Sequence, residues 1–386
     1  MTSQTIRKIF TRDFILSFFA QFAFISVFYI LIPTLPIYLS RSGSKETEIG
    51  VLIGIFFVSA LVFRPFVGKA LLKIPEKTFM IAGTLLFALT SLAYLLAPPF
   101  WPFLIVRAFQ GMGLALFHTA SLTLIANISP EAHRGQSLSY FLLAPNISLA
   151  LAPSLGMFLI DHFGFPILFT VCSGISLCSL FIISRLGRRQ VAPLEVSFKE
   201  NSFFLSWKAL PPSVISFFSF MMWGALTTFF PIYALNHGVP NSGLFFTAIA
   251  IMFFLGRVFG GKILDLYRRE RVIPFLVTTC VIAMTLLAFS KDLPMFILVA
   301  VIWGIGNGLL NPAVMVYVLD RAGPSKGPAI GTYTSLSDLG LGLGPVIMGM
   351  IIHLSSYQIM FLCLALTGVI NLIYFYFFVK ERQPLK

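Results

Sequence analysis

Thirteen of the 14 Asp and Glu residues fall in polar stretches or at the edges of apolar ones, and Asp338 does not. It sits in Ser335-Leu336-Ser337-Asp338, near the middle of an apolar run spanning about 327–353, with Ser335 one helical turn away on the same face. A carboxylate in such a run is costly to ionise, because desolvation disfavours the charged form, so it persists where it is used or compensated. Asp338 is therefore a candidate to take up and release a proton as its surroundings are alternately dried and wetted, or to recognise a charge on a ligand. The plainer alternative is a hydrogen bond between helices.

Arg107, Gln110, Leu114, His118 and Ser121 recur at spacings of three or four and so share one helical face, which is expected to look into a cavity. Trp303, Asn307 and Asn311 repeat at spacings of four, and an offset of 193 residues carries Gln110 onto Trp303, Leu114 onto Asn307 and His118 onto Asn311. An offset of 192 carries Asn146 onto Asp338, so His118, Asn146, Asn311 and Asp338 form two matched polar pairs. An imidazole titrates near neutral pH, which makes His118 a second protonatable candidate, although a lone His in a helix is usually a packed residue. Arg107 lies roughly 16 Å along the helix from His118. It can bind an anionic group, perturb a nearby acid, or tie down backbone carbonyls. Gln21, Tyr29, Trp223, Thr227 and Thr228 are weaker candidates for the same lining. The 43 Phe residues suit a greasy cavity, yet most such rings face lipid or pack.

The elements that must position these residues are membrane-spanning helices. With 58% hydrophobic and 11% charged residues and a mean hydropathy of +0.92, a water-soluble fold would be covered in exposed apolar surface. Apolar runs of about 20 residues or more, enough to cross a bilayer, are expected at 14–39, 48–71, 77–97, 101–127, 136–160, 165–185, 211–236, 242–265, 271–290, 294–320, 327–353 and 357–379. The second six copy the first six: Arg64-Pro65-Phe66-Val67-Gly68-Lys69 is echoed by Arg257-Val258-Phe259-Gly260-Gly261-Lys262, and Pro36-Ile37-Tyr38 by Pro231-Ile232-Tyr233. The expected organisation is a six-helix bundle over 1–185, a polar linker over 186–210, and a second bundle over 211–386.

The net charge of +13 does not point to nucleic acid, because of where it sits. Alternate loops and both termini hold 21 of the 27 Lys and Arg residues, the opposite loops hold Arg41, Lys45 and Lys291, and Arg64, Arg107 and Arg257 lie within helices. This asymmetry places both termini and the linker in the cytoplasm, and no loop offers a basic surface interleaved with aromatics. The first apolar run follows Arg7, Lys8 and Arg12 but is too long for a secretory leader and carries Pro33 and Pro36, so it is read as a retained helix. Cys172, Cys178, Cys280 and Cys363 fall inside apolar runs without metal or disulfide spacing and are expected to pack. Neither a His-Glu-x-x-His helix nor a phosphate loop ending in Lys-Ser or Lys-Thr is present, so an enzyme of those kinds is not indicated, and no metal or cofactor is expected.

The fourth run reads Arg107-Ala108-Phe109-Gln110-Gly111-Met112-Gly113-Leu114-Ala115, and the first ends in Ile32-Pro33-Thr34-Leu35-Pro36-Ile37-Tyr38. In these motifs, and over essentially its whole length, the chain resembles the major facilitator superfamily, in particular its twelve-helix drug and metabolite proton antiporters. The family's cytoplasmic turn, Gly-x-x-x-Asp-Arg-x-Gly-Arg-Arg, has Leu72 where its Asp belongs after the second run, beside Gly68 and Lys69, and keeps Asp265 after Gly261 and Lys262. The resemblance implies that Asp265 latches against the start of the fifth helix. The antiporter motif of the fifth helix, Gly-x-x-x-Gly-Pro-x-x-Gly-Gly, is eroded to Ser148, Ala152, Pro153 and Gly156, while the eleventh helix keeps Gly340, Gly344, Pro345 and Gly349.

The resemblance implies an all-α membrane protein of two pseudo-symmetric six-helix bundles, acting as a monomer in a bacterial inner membrane and working by alternating access. It further implies proton-coupled export of a small amphipathic drug or metabolite, with Asp338 and His118 in proton coupling. Cargo contacts are expected from Arg107, Gln110, His118, Asn146, Asn307, Asn311, Asp338, Trp303 and Gln21, and gating from Asp265, Lys262, Lys69, Gly344 and Pro345. The first helix lacks the midmembrane acid that many exporters of this family carry. This keeps open a facilitator or exporter of an endogenous metabolite, such as a metallophore, sugar or lysolipid, without proton coupling. A membrane enzyme or a non-transporting receptor is the alternative from another class.

Overall fold

The computed structural model describes residues 10–98, 100–130, 133–187, 206–266, 269–322 and 326–379, with the side chains at 134–135, 257–266, 322 and 326–328 also outside the description. Among the described residues the chain is helical throughout. Its helices are α1 (Arg12–Arg41), α2 (Glu46–Ala70), α3 (Glu76–Ala93), α4 (Trp101–Ile128), α5 (Arg134–Phe141), α6 (Leu143–Ser184), α7 (Leu210–Asn236), α8 (Gly243–Leu266), α9 (Arg269–Phe289), α10 (Leu293–Ala322), α11 (Lys326–Leu354) and α12 (Tyr357–Tyr374), the last running into a π turn at Phe375–Val379.

Their ends follow local chemistry. Thr11 caps α1 by accepting from the Phe14 amide at 3.3 Å, and Ser356 caps α12 by accepting from the Ile359 amide at 3.3 Å. Gly43 and Gly238 adopt positive φ, 84° and 75°, in the turns that follow α1 and α7, a conformation that glycine enters without a Cβ clash. These two turns, like Pro36 and Pro231 inside the helices before them, stand 195 residues apart, so the duplication is written into the turns as well as the helices.

Ten helices among the described residues are long and apolar enough to cross a membrane. The fifth and sixth expected runs follow one another within α6, joined by a short kink rather than a long loop. The apolar stretch Gln136–Ser184, at 49 residues, is more than twice what a crossing of about 20 residues needs. It divides at Gly164, whose φ of 77° and ψ of 178° are not helical, with Pro166 starting the second limb. With α6 counted as two limbs and α8 added, the helices accommodate the twelve runs read from sequence.

The chain divides into two compact units, Met1–Ser44 with Ile55–Val196, and Lys45–Gly54 with Ser197–Lys386. In the first unit α1 packs on α6: Ser26 and Ser148 hydroxyls meet at 2.9 Å, Ser148 Oγ donates to the Phe22 carbonyl at 3.2 Å, and Gly156 lies against the Ile30 carbonyl. Phe24 of α1 stacks on Phe117 of α4 with centroids 3.9 Å apart and planes 6° from parallel. On the next face Gly111 of α4 abuts the Phe56 carbonyl, and Ser59 Oγ donates to the Ala108 carbonyl at 2.6 Å. In the second unit α7 packs on α11, with Gly340 and Gly344 against the Phe217 and Met221 carbonyls and Gly224 against the Leu341 carbonyl. Small residues four apart bring these backbones into contact. Cys172 and Cys280 pack as expected, but Cys178 is exposed on the apolar surface of α6 and Cys363 is half-buried, so packing does not account for all four thiols.

Candidate functional site

In the first unit, α4 carries the Arg107–Gln110 pair, one turn apart, and both side chains are nearly fully buried. Arg107 Nη1 donates to Gln110 Oε1 at 2.6 Å, and its guanidinium lies 4.5 Å from the centre of the Phe56 ring. A third member is Tyr94, which caps the C-terminus of α3: its hydroxyl donates to the same Gln110 Oε1 at 2.5 Å and stands 3.5 Å from Arg107 Nη1. The Tyr94 ring is clamped by Phe103 at 4.6 Å and Phe169 at 5.4 Å. A guanidinium is always a donor, so these contacts fix the amide: its oxygen faces Arg107, and Gln110 Nε2, buried and without a hydrogen-bond partner among the described residues, faces away.

Further along α4 the stripe turns toward α1. Ser121 Oγ lies 3.2 Å from Gln21 Oε1 and 3.0 Å from the His118 carbonyl, and Gln21 is fully buried. His118 is half-buried, and no side-chain hydrogen bond of its ring joins it to Asn146 or Gln21 among the described residues. Asn146, on α6, is 9% exposed with its Nδ2 buried and unbonded among the described residues. The stripe thus splits: Arg107 and Gln110 engage α2 and α3, while Ser121 engages α1.

The second unit gathers its polar residues into a ladder along α10. Asn311 Nδ2 donates to Asn307 Oδ1 at 2.9 Å, and Asn307 Nδ2 donates to Ser219 Oγ of α7 at 3.1 Å. One turn away, Trp303 is fully buried and lies nearly parallel to Trp223, 8° between planes and 6.4 Å between centroids. From α11, the Tyr333 hydroxyl donates to the Asn311 carbonyl at 3.3 Å, and Ser337 Oγ approaches Ser216 Oγ at 3.2 Å. Asp338 follows Ser337 directly, 6% exposed, in the middle of α11. Through Ser219 and Tyr333, then, the Asn307–Asn311 pair is tied to α7 and to α11, the helix that carries Asp338. Thr227 and Thr228, by contrast, bond to the Gly224 carbonyl within their own helix.

Of the gating candidates, Gly344 sits at the α7–α11 contact, and Pro345 presents its carbonyl to Gly50 within the second unit. Lys69 is exposed at the end of α2. Lys262 and Asp265 lie on α8, but their side chains, and with them the expected latch, fall outside the described residues. Sequence reasoning missed Tyr94, Ser219 and Tyr333. Ser219 had a signal, since it is one turn from Trp223 and stands 193 residues after Ser26, whereas Tyr94 maps onto Leu287 and had none.

Helices that cross a membrane and bury amides, a carboxylate and a guanidinium in two similarly built units define a polytopic membrane transporter. The sequence matches the profile of the Major Facilitator Superfamily over residues 17–326 and again over 212–386, and the chain belongs to that superfamily. It is 23% identical over 358 residues to the quinolone resistance protein NorA of Staphylococcus aureus (strain COL), spanning 88% of this chain and 90% of that one. It is 24% identical over 401 residues to the staphylopine export protein of Staphylococcus aureus (strain Mu50), spanning 97% and 96%. Its fold matches the crystal structure of the nucleoside transporter NupG with a TM-score of 0.77 at 15% identity, over 96% of this chain and 100% of that chain.

Proposed function

We propose that this transporter exports a small amphipathic molecule by alternating access, and that proton entry through Asp338 drives the cycle. The observation that carries this reading is Asp338 itself, a carboxylate buried in the middle of an apolar helix. A dry, apolar surround favours the protonated carboxyl, and water reaching the group favours the ionised one. Changes in wetting therefore shift its proton affinity. His118, half-buried at mid-helix in the other unit, is the second proton site. Arg107, Gln110, Gln21, Asn146, Trp303, Asn307 and Asn311 contact cargo, and the pair Gly344–Pro345 with Asp265, Lys262 and Lys69 serves the conformational change. The halves are 1–185 and 211–386. The protein works as a monomer in a bacterial inner membrane with both termini cytoplasmic, as the distribution of Lys and Arg supports. The relatedness to NorA supports drug export.

The test is uptake of a labelled substrate panel into proteoliposomes with and without an imposed pH gradient, in wild type and Asp338→Asn. Gradient-driven uptake is expected in the wild type and lost in the variant. Equal rates with and without the gradient in wild type would remove proton coupling.

A second reading, export of an endogenous metabolite without proton coupling, has its own support. The buried polar residues of α1 are Ser17, Gln21, Ser26 and Thr34, none of them an acid, and one relative is a staphylopine exporter.

A further inference from the structure

We infer that the cargo carries a carboxylate, and that Gln110 Nε2, turned away from Arg107 and Tyr94, is the donor that reads it. The inference rests on the transport reading above and narrows its substrate class.

The amide orientation is the first step. Two donors converge on Gln110 Oε1, the guanidinium at 2.6 Å and the phenol at 2.5 Å, so the oxygen is fully engaged and the NH2 end is the one left over. Donors that pull on an amide oxygen shift electron density from nitrogen and strengthen its N–H groups as donors. A buried side chain with a polarised, unbonded NH2 is built to meet an acceptor oxygen.

The charge around it is the second step. The acids on the described helices of the first unit stand at the margins: Asp13 and Glu76 in the first turns of α1 and α3, and exposed Asp161 beside the Gly164 kink. The interior of those helices carries Arg64, Arg107 and His118 instead. An ammonium-bearing cargo would find a donor and like charge here, while a carboxylate finds a donor and a nearby guanidinium. The second unit differs: the buried oxygens Asn311 Oδ1 and Asn371 Oδ1 have no hydrogen-bond partner among the described residues, which suits the donor groups of a cargo. Tyr94 is a positioning residue in this scheme, since its ring is held by Phe103 and Phe169 and its hydroxyl reaches Gln110.

The test uses three dansyl probes with one apolar body, ending in a carboxylate, a carboxamide or an amine. Binding to the purified protein in detergent is followed by probe fluorescence, and uptake is followed in phosphatidylethanolamine–phosphatidylglycerol vesicles. In the wild type the carboxylate probe is expected to bind and move at least tenfold better than the amine probe, with the carboxamide between them. Gln110→Glu replaces the NH2 with an acceptor oxygen and is expected to raise KM for the carboxylate probe at least tenfold with kcat little changed, and to favour the amine probe. Tyr94→Phe is expected to raise the same KM about threefold. A merely structural role would instead lower kcat for all probes alike. Equal handling of the three probes by the wild type, or an unchanged carboxylate KM in Gln110→Glu, would overturn the inference while leaving transport standing. A wild type that moves no probe under either gradient direction would overturn the transport reading and this inference with it.

Discussion

The stretch of α4 around Arg107 and Gln110 and the stretch of α10 around Ala300 and Trp303 occupy the same place in the two copies, 193 residues apart, yet they share no chemistry. In α4 a guanidinium, an amide and a phenol from α3 close a polar knot. In α10 the equivalent residues are Ala300, Trp303 and, on α9, Leu287, all fully buried carbon except for one indole N–H. Two turns further along, the roles reverse: Leu114 corresponds in the repeat to Asn307, and Asn146 to Asp338. Duplication kept the helix contacts, α1 on α6 and α7 on α11, because backbone packing tolerates little change. Polar groups were free to slide along the helix, and the acid ended in one copy while the buried guanidinium ended in the other.

The contacts differ in kind as well, which gives the largest expected effect. In the second unit a Cβ on Gly340 or Gly344 would strike backbone carbonyls of α7, so Gly340→Ala and Gly344→Ala should each cost about 2–3 kcal/mol, read as loss of thermal stability in detergent. In the first unit Ser148 already carries a side chain at the matching contact, and Ser148→Ala should cost no more than about 1 kcal/mol. Equal losses in both would show that the two helix pairs are not packed differently. Next in size is Asn307→Leu, which strips partners from both Ser219 and Asn311 and should cost about 1–3 kcal/mol. Leu114→Ala, at the equivalent place in α4, removes only buried carbon and should leave the polar contacts of its unit intact, as infrared amide bands would report. As small as Ser148→Ala is Tyr94→Phe, about 1 kcal/mol, because Arg107 still holds Gln110. A loss as large as that of Asn307→Leu would mean that Tyr94, not Arg107, holds the knot together.

Much of this was legible from residue types and spacing. Apolar runs with prolines at matched offsets gave the helices and the duplication, and the isolation of Asp338 within such a run gave its burial. The Asn307–Asn311 spacing gave a bond that forms within one turn of α10. Partners on other helices were not legible. Tyr94 caps the end of α3 and its repeat counterpart is the apolar Leu287, and the close approach of α3 to α4, Gly83 against the Gly113 carbonyl, brings its hydroxyl to Gln110. The stripe on α4 was periodic, but period alone does not say which neighbour each turn meets. The division between the fifth and sixth runs was legible, and it falls at the non-helical Gly164.

The acid's role is most directly read by the proton movement that accompanies cargo. Proteoliposomes loaded with a pH-sensitive dye and given a cargo gradient, with no pH gradient imposed, report it as a change in internal pH. The wild type should show a pH change that scales with cargo flux, and Asp338→Asn should show cargo exchange without one. The same dye signal per molecule of cargo in Asp338→Asn would contradict the assignment of Asp338 as the group that carries the proton.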